Sequence, residues 1–161
     1  GLPQPITEER KYIVKVTGET PSSIDSHITQ TYLVSDPDSE VRLRQREWAN
    51  GNVVNVHTTT KTLNANQQVE TERQVSNALY ESLLSQADPY RQTICKQRKS
   101  FIWKGQYFEL DTYEKQLEGL VILETKGITD KEHVNFPPFI EEVEDITGNR
   151  KYYNYNLALR H

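Results

Sequence analysis

Val41-Arg42-Leu43-Arg44-Gln45-Arg46-Glu47-Trp48 carries an arginine at every second position. Successive side chains of a strand point to opposite faces, so this segment reads as a strand with Val41 and Leu43 on one face and Arg42, Arg44 and Arg46 on the other. Upstream, Asp36-Pro37-Asp38-Ser39 is turn-rich, and the run 28–35 places Tyr32 and Val34 on one face of a second strand. Downstream, Asn50-Gly51 is a two-residue hairpin signal, because both residues tolerate positive φ. It predicts a hairpin joining 41–48 to a strand over 53–63.

The same period of two recurs along the chain. Tyr12, Val14 and Val16 alternate with Glu9, Lys11, Ile13 and Lys15, and further strands are expected at 68–75, 91–103, 106–113 and 120–127. Lys104-Gly105 marks another tight turn. One helix interrupts the series: Ser76 is placed to cap it, Val75, Leu79 and Leu83 fall four apart, and Pro89 stops it. The tail carries Phe136-Pro137-Pro138-Phe139 and a short helical stretch near 154–159. About eight strands joined by hairpins predict a mainly β (α+β) fold: an eight-stranded antiparallel barrel, closed so that no edge is left, with a mid-chain helix and short C-terminal helices.

The bulk composition is that of one ordinary domain. The chain has 161 residues, 35% hydrophobic and 26% charged, with no repeat or low-complexity segment. No apolar run is long enough for a transmembrane segment. A formal net charge of −4 gives no global field for nucleic acid. Cys95 stands alone, in keeping with a reducing, intracellular, cytoplasmic setting. Methionine is absent, so the expectation is a single domain over 1–161 taken from a longer chain.

Charges two apart also occur at Glu9 and Lys11, at Glu70 and Glu72, and at Lys96 and Arg98, while Lys61 shares a face with Thr59 and His57. Taken one strand at a time, each polar face reads most simply as the solvent side of a sheet over one apolar core. Two observations favour the inside of a barrel instead. Lysine and glutamate are commoner than arginine on solvent faces, and the charged strands recur around the whole sheet. Guanidinium groups grip phosphate oxygens through paired, charge-assisted hydrogen bonds, so a ring of them suits a phosphorylated anion.

Thr7-Glu8-Glu9-Arg10-Lys11 resembles the N-terminal ExExK signature of the CYTH domains, the triphosphate tunnel metalloenzymes. The resemblance continues in order through Arg42-Leu43-Arg44, Thr59-Thr60-Lys61, Glu70-Thr71-Glu72, Lys96-Gln97-Arg98, Phe108-Glu109-Leu110-Asp111, the glycine-led Gly119–Glu124 run, Phe136-Pro137 and Asn154-Tyr155-Asn156-Leu157-Ala158. It implies an eight-stranded tunnel in which Lys11, Arg42, Arg44, Lys61, Lys96 and Arg98 bind phosphate. It also implies Glu9, Glu70, Glu72 and Glu124, with Asp111 nearby, as ligands of Mg²⁺ or Mn²⁺.

Three departures fall at family positions. Thr7 replaces the first Glu of ExExK, Lys126 the second Glu of the last acidic pair, and Gln68 a frequent Arg. The first two degrade the metal site, whereas the phosphate-binding positions are intact. Two functions follow. One is a binding module for a nucleoside triphosphate such as GTP or for a phosphoinositide head group, with Lys126 as counter-charge in place of metal. The other is a divergent metal-dependent triphosphatase. The resemblance to animal CYTH-like domains of GTP- and phosphoinositide-binding trafficking proteins implies an N-terminal P-loop domain in the parent chain and a location peripheral to membranes. His27, His57, His133 and His161 show no metal-ligand spacing. Cys95 is expected to point outward into packing, and Tyr152, Tyr153 and Tyr155 to pack the tail.

Overall fold

Nine strands, two short α-helices and three single-turn 3-10 helices make up the regular structure of the computed structural model, which describes residues 9–127 and 134–161. Thr7 and His133 lie outside the described residues. The strands are β1 (Glu9–Val16), β2 (Ile24–Leu33), β3 (Ser39–Trp48), β4 (Val53–Asn64), β5 (Gln67–Val75), β6 (Ile94–Trp103), β7 (Gln106–Tyr113), β8 (Val121–Lys126) and β9 (Ile140–Asp145). Helix α1 (Asn77–Leu83) follows β5, and α2 (Asn154–Leu157) lies in the tail.

All nine strands form one antiparallel sheet in the order β5-β4-β3-β2-β6-β7-β8-β1-β9. This corrects the expected closed eight-stranded barrel: the sheet is open, and β9 is an additional strand. Its segment, Ile140-Glu141-Glu142-Val143-Glu144-Asp145, is too acidic to show an apolar alternation. The open edges have a physical reason. β5 presents Glu70 and Glu72, and β9 presents four acids in six residues. Like charges brought opposite each other destabilise a strand pair, and charged edges resist further pairing.

The sheet nevertheless curls strongly. β1 and β3 stand five strands apart in the sheet order, about 24 Å if flat. Lys11 of β1 and Arg42 and Arg44 of β3 line the same cavity of about 290 Å³. The two faces are therefore a concave interior and an outer surface.

Apolar side chains cover most of the outer surface. Tyr12, Val14, Phe101, Phe108, Leu110 and Leu123 pack under the 134–140 segment through Phe136, Phe139 and Ile140. Aromatic contacts fasten this cover: Tyr12 meets Phe136 edge-on with centroids 4.8 Å apart, and Phe101 stacks on Phe108 at 5.6 Å. On the other half of the outer surface, α1 sets Tyr80 and Leu83 against Leu33, Leu43 and Val75. Ser76 caps α1 as expected, its hydroxyl accepting the Leu79 N–H at 3.1 Å. Cys95, although buried, makes no part of these clusters.

Inside the curl, the tail closes one end. Tyr32, Ile94, Tyr113, Ile122 and Ile146 form a cluster with Ala158, Tyr152 and Tyr155. Arg91 lies 3.4 Å from the Tyr155 ring centroid and donates from Nε to the Tyr155 carbonyl at 3.0 Å. The Lys104-Gly105 turn is the tight one, with both residues at positive φ between the paired Trp103 and Gln106. At the Asn50-Gly51 hairpin only Gly51 has positive φ, and the loop is longer because Glu47 pairs with Val53.

Phe108→Ala removes a fully buried ring from the outer cluster. It is expected to cost about 3–5 kcal/mol, read as a lowered urea midpoint with an unchanged m value.

Candidate functional site: a concave basic face

Directly opposed residues in an antiparallel sheet share a face, so the register assigns the interior strand by strand. Arg42 opposes Tyr32, Arg44 opposes Gln30, and Arg46 opposes Ile28. Ile28 in turn opposes Lys96, and Ser26 opposes Arg98. Arg98 opposes Asp111, Glu109 opposes Glu124, and Glu124 opposes Lys11. In the other direction Thr58 links Arg42 to Glu72, and Thr60 links Glu40 to Glu70. Ten of the eleven residues expected at the site, all but Lys61, thus lie on one face.

Lys61 lies on the opposite face. It pairs with Ser39 and Val69, in line with His57 and Leu43, and its side chain is exposed. The Thr59-Thr60-Lys61 motif gave its spacing correctly, but its face depends on register against Val41 and Leu43. The structure does not bring Lys61 to the other cations.

The cavity is lined by Lys11, Arg42, Arg44, Lys96 and Arg98, with Glu40 the one carboxylate among the described lining residues and the tail residues Tyr153–Tyr155 at one end. These cations are held in different ways. Lys96 and Arg98 belong to a buried ion network. Asp111 receives Lys96 Nζ at 2.8 Å and two Arg98 donors at 2.8 and 2.9 Å. The remaining Arg98 nitrogen reaches Glu109 at 2.5 Å, and Lys126 approaches the same carboxylate at 3.4 Å. Burial alone would raise the Asp111 pKa, but the two cations hold it at about 2. Burial, together with the nearby Arg98, lowers the Lys96 pKa despite the opposing effect of Asp111.

Arg42 pairs loosely, at 3.5 Å from Glu70 and 4.0 Å from Glu40. Arg46 donates to the Ser26 hydroxyl at 2.9 Å and lies over the Trp48 ring at 4.7 Å. The Arg44 side chain makes no hydrogen bond or ion pair among the described residues; burial and then the nearby Arg98, Arg46 and Arg42 depress its pKa, with Glu72 opposing. A guanidinium with no partner, among others of its own sign, is a site for an anion.

The carboxylates expected to hold a metal do not converge. Glu70 and Glu72 stand on edge strand β5, engaged with Arg42 and with the Thr58 hydroxyl. Asp111 is saturated by Lys96 and Arg98. Glu9 and Glu124 meet diagonally across β1 and β8, Glu9 lying opposite Lys126 and Glu124 opposite Lys11. Among the described residues no group of three or more acids, histidines or cysteines could hold a metal. Two carboxylates flanked by two ammonium groups do not fit a resident divalent cation.

Glu124 is pushed up to about 7, first by burial and then by its hydrogen bond with Glu9 and that carboxylate's charge. Sequence reading missed Glu109, although its place two residues from Asp111 puts it on the same face; only the paired strands show that it joins Arg98 to Lys126.

A comparison with solved structures finds the same chain path. The crystal structure of the inorganic triphosphatase NE1496 superposes with a TM-score of 0.72 at 26% identity, covering 98% of this chain and 97% of that one. The chain is similar, from end to end, to an inorganic triphosphatase. A second crystal structure of NE1496, described as a hypothetical protein, gives a TM-score of 0.71 over 96% of this chain. No family model and no curated protein sequence matches. The likeness to NE1496 supports the CYTH resemblance read from the ordered motifs.

Two outcomes follow for the site. Arg98→Met strips Asp111 and Glu109 of their shared partner, and leaving buried carboxylates under-paired is expected to cost about 3–5 kcal/mol by urea unfolding. A loss below about 1 kcal/mol would show that the network contributes little. For Glu124, the folded state holds the proton more tightly than the unfolded chain, whose glutamates titrate near 4.3. Stability is therefore full below that value and falls as pH rises toward about 7. In Glu124→Gln this decline should flatten, as seen in thermal midpoints across the same interval.

Proposed function

We propose that the concave face is a binding site for a linear phosphorylated anion such as a triphosphate. The observation that carries this reading is the cavity of about 290 Å³ lined by five cations and one carboxylate, with Arg44 unpaired inside it. Lys96 and Arg98 spend their donors on Asp111 and Glu109, which neutralise them, so they form the fixed wall of the cavity. Lys11, Arg42 and Arg44 are the groups free to turn onto phosphate oxygens. An anion entering from the acid-rich end would meet Lys126 and Arg46, then Lys11, Arg42 and Arg44, and stop against the tail. The end-to-end likeness to an inorganic triphosphatase supports a triphosphate as the first ligand to test.

A second reading, hydrolysis of the triphosphate, is favoured by that same likeness. It would need the Glu9–Glu124 pair to act despite the two lysines beside it. Nucleoside triphosphates such as GTP and phosphoinositide head groups offer the same phosphate chemistry. No helix among the described residues is long and apolar enough to cross a membrane.

Calorimetric titration of tripolyphosphate separates the two readings. Binding predicts a saturable heat, weakened about ten- to a hundredfold in Arg44→Ala without loss of stability. Sustained heat flow that requires Mg²⁺ would mean turnover and overturn the binding-only reading. Unchanged affinity in Arg44→Ala would place the anion elsewhere.

A further inference from the structure

The acid-rich end of the interior contains a cation of its own. Lys126 ends β8 directly opposite Glu9 of β1, in a row where Glu124 opposes both Lys11 and Glu109. Its Nζ lies 3.4 Å from Glu109 Oε1. Glu109 is only 4% exposed, and Arg98 occupies its other oxygen at 2.5 Å. Arg98 is in turn locked onto Asp111. The Lys126 side chain is 45% exposed, but its ion pair with Glu109 links the ammonium, through Arg98 and Asp111, to the centre of the sheet.

The surroundings of Lys126 match this link. Glu9 stands directly across the strand pair from this lysine, and Glu109 and Glu124 stand across from each other in the next row. A divalent ion between Glu9 and Glu124 would lie beside this ammonium and that of Lys11. Like charges a few ångströms apart in a partly buried site repel strongly.

We propose that the Lys126 ammonium, held by Glu109 and facing Glu9 and Glu124, is the resident counter-cation of this end of the face, so that the chain binds its phosphorylated anion without a divalent metal. The proposal rests on the anion reading for its second clause only. Lys126 takes the place that a metal would need, balances the two carboxylates, and offers an N–H donor to the anion's terminal phosphoryl group. Glu109 is then a positioning residue, acting through Lys126 and Arg98.

The test uses Mn²⁺ alone and tripolyphosphate alone as separate probes. Mn²⁺ binding, followed by its electron paramagnetic resonance signal, should be absent in the wild type and appear in Lys126→Glu. Lys126→Met, which removes the ammonium without adding an acid, guards against a fold effect: it should keep the wild-type circular dichroism and weaken tripolyphosphate binding in EDTA by about tenfold. One equivalent of Mn²⁺ taken up by the wild type would overturn the proposal. So would wild-type tripolyphosphate binding that disappears in EDTA and returns with Mg²⁺. If tripolyphosphate binds under neither condition, the anion reading fails by itself, and the Mn²⁺ titrations still decide the role of Lys126.

Discussion

The carboxylate of Asp111 receives three hydrogen-bond donors, one from Lys96 and two from Arg98, in the middle of the concave face. Lys96 and Asp111 are almost fully buried and Arg98 largely so, and ions taken out of water at this depth are tolerated only when paired with good geometry. The pairing ties β6 to β7, and Glu109 extends it to Lys126 on β8. A sheet curled this tightly brings cations from β1, β3 and β6 around one cavity, where they would repel one another. Neutralising the two innermost cations lets the curl persist while Lys11, Arg42 and Arg44 remain available.

The same network divides structural from ligand-facing charge. Arg98 has committed its donors to carboxylates, so its loss would be felt first as loss of the fold. Arg44 has committed none, so its contribution lies in what enters the cavity. The distinction cannot be drawn from residue type, since both are arginines at period-two positions. It depends on which carboxylates stand across the strand pair, and β7 supplies two where β4 supplies threonine and valine.

The two ends of the interior differ in chemistry. Tail residues from Tyr152 to Ala158 seal one end with apolar contacts and the Arg91–Tyr155 stack. The other end gathers Glu9, Glu124, Glu109 and Lys126. The Lys126 ammonium is the cation among those carboxylates, 3.4 Å from Glu109 and directly opposite Glu9.

The amino-acid sequence by itself determined the strands, because period-two alternation is a local property: β1, β3, β4, β7 and β8 lie within a few residues of their predicted places. It also determined the helix that Ser76 caps. It put Arg42, Arg44, Lys96, Arg98, Glu9 and Lys11 on shared polar faces. Tertiary structure decided the rest. β9 was hidden by its acids, since a strand recruited by edge pairing with β1 needs no apolar stripe. Closure failed because two acidic edges do not pair. Lys61 went to the outer face because its strand's register follows Leu43 opposite His57. Of the expected metal ligands Glu9 and Glu124 meet, while Glu70, Glu72 and Asp111 stand apart from them, because convergence of side chains from β1, β5, β7 and β8 depends on sheet curvature and register, which no spacing along the chain encodes.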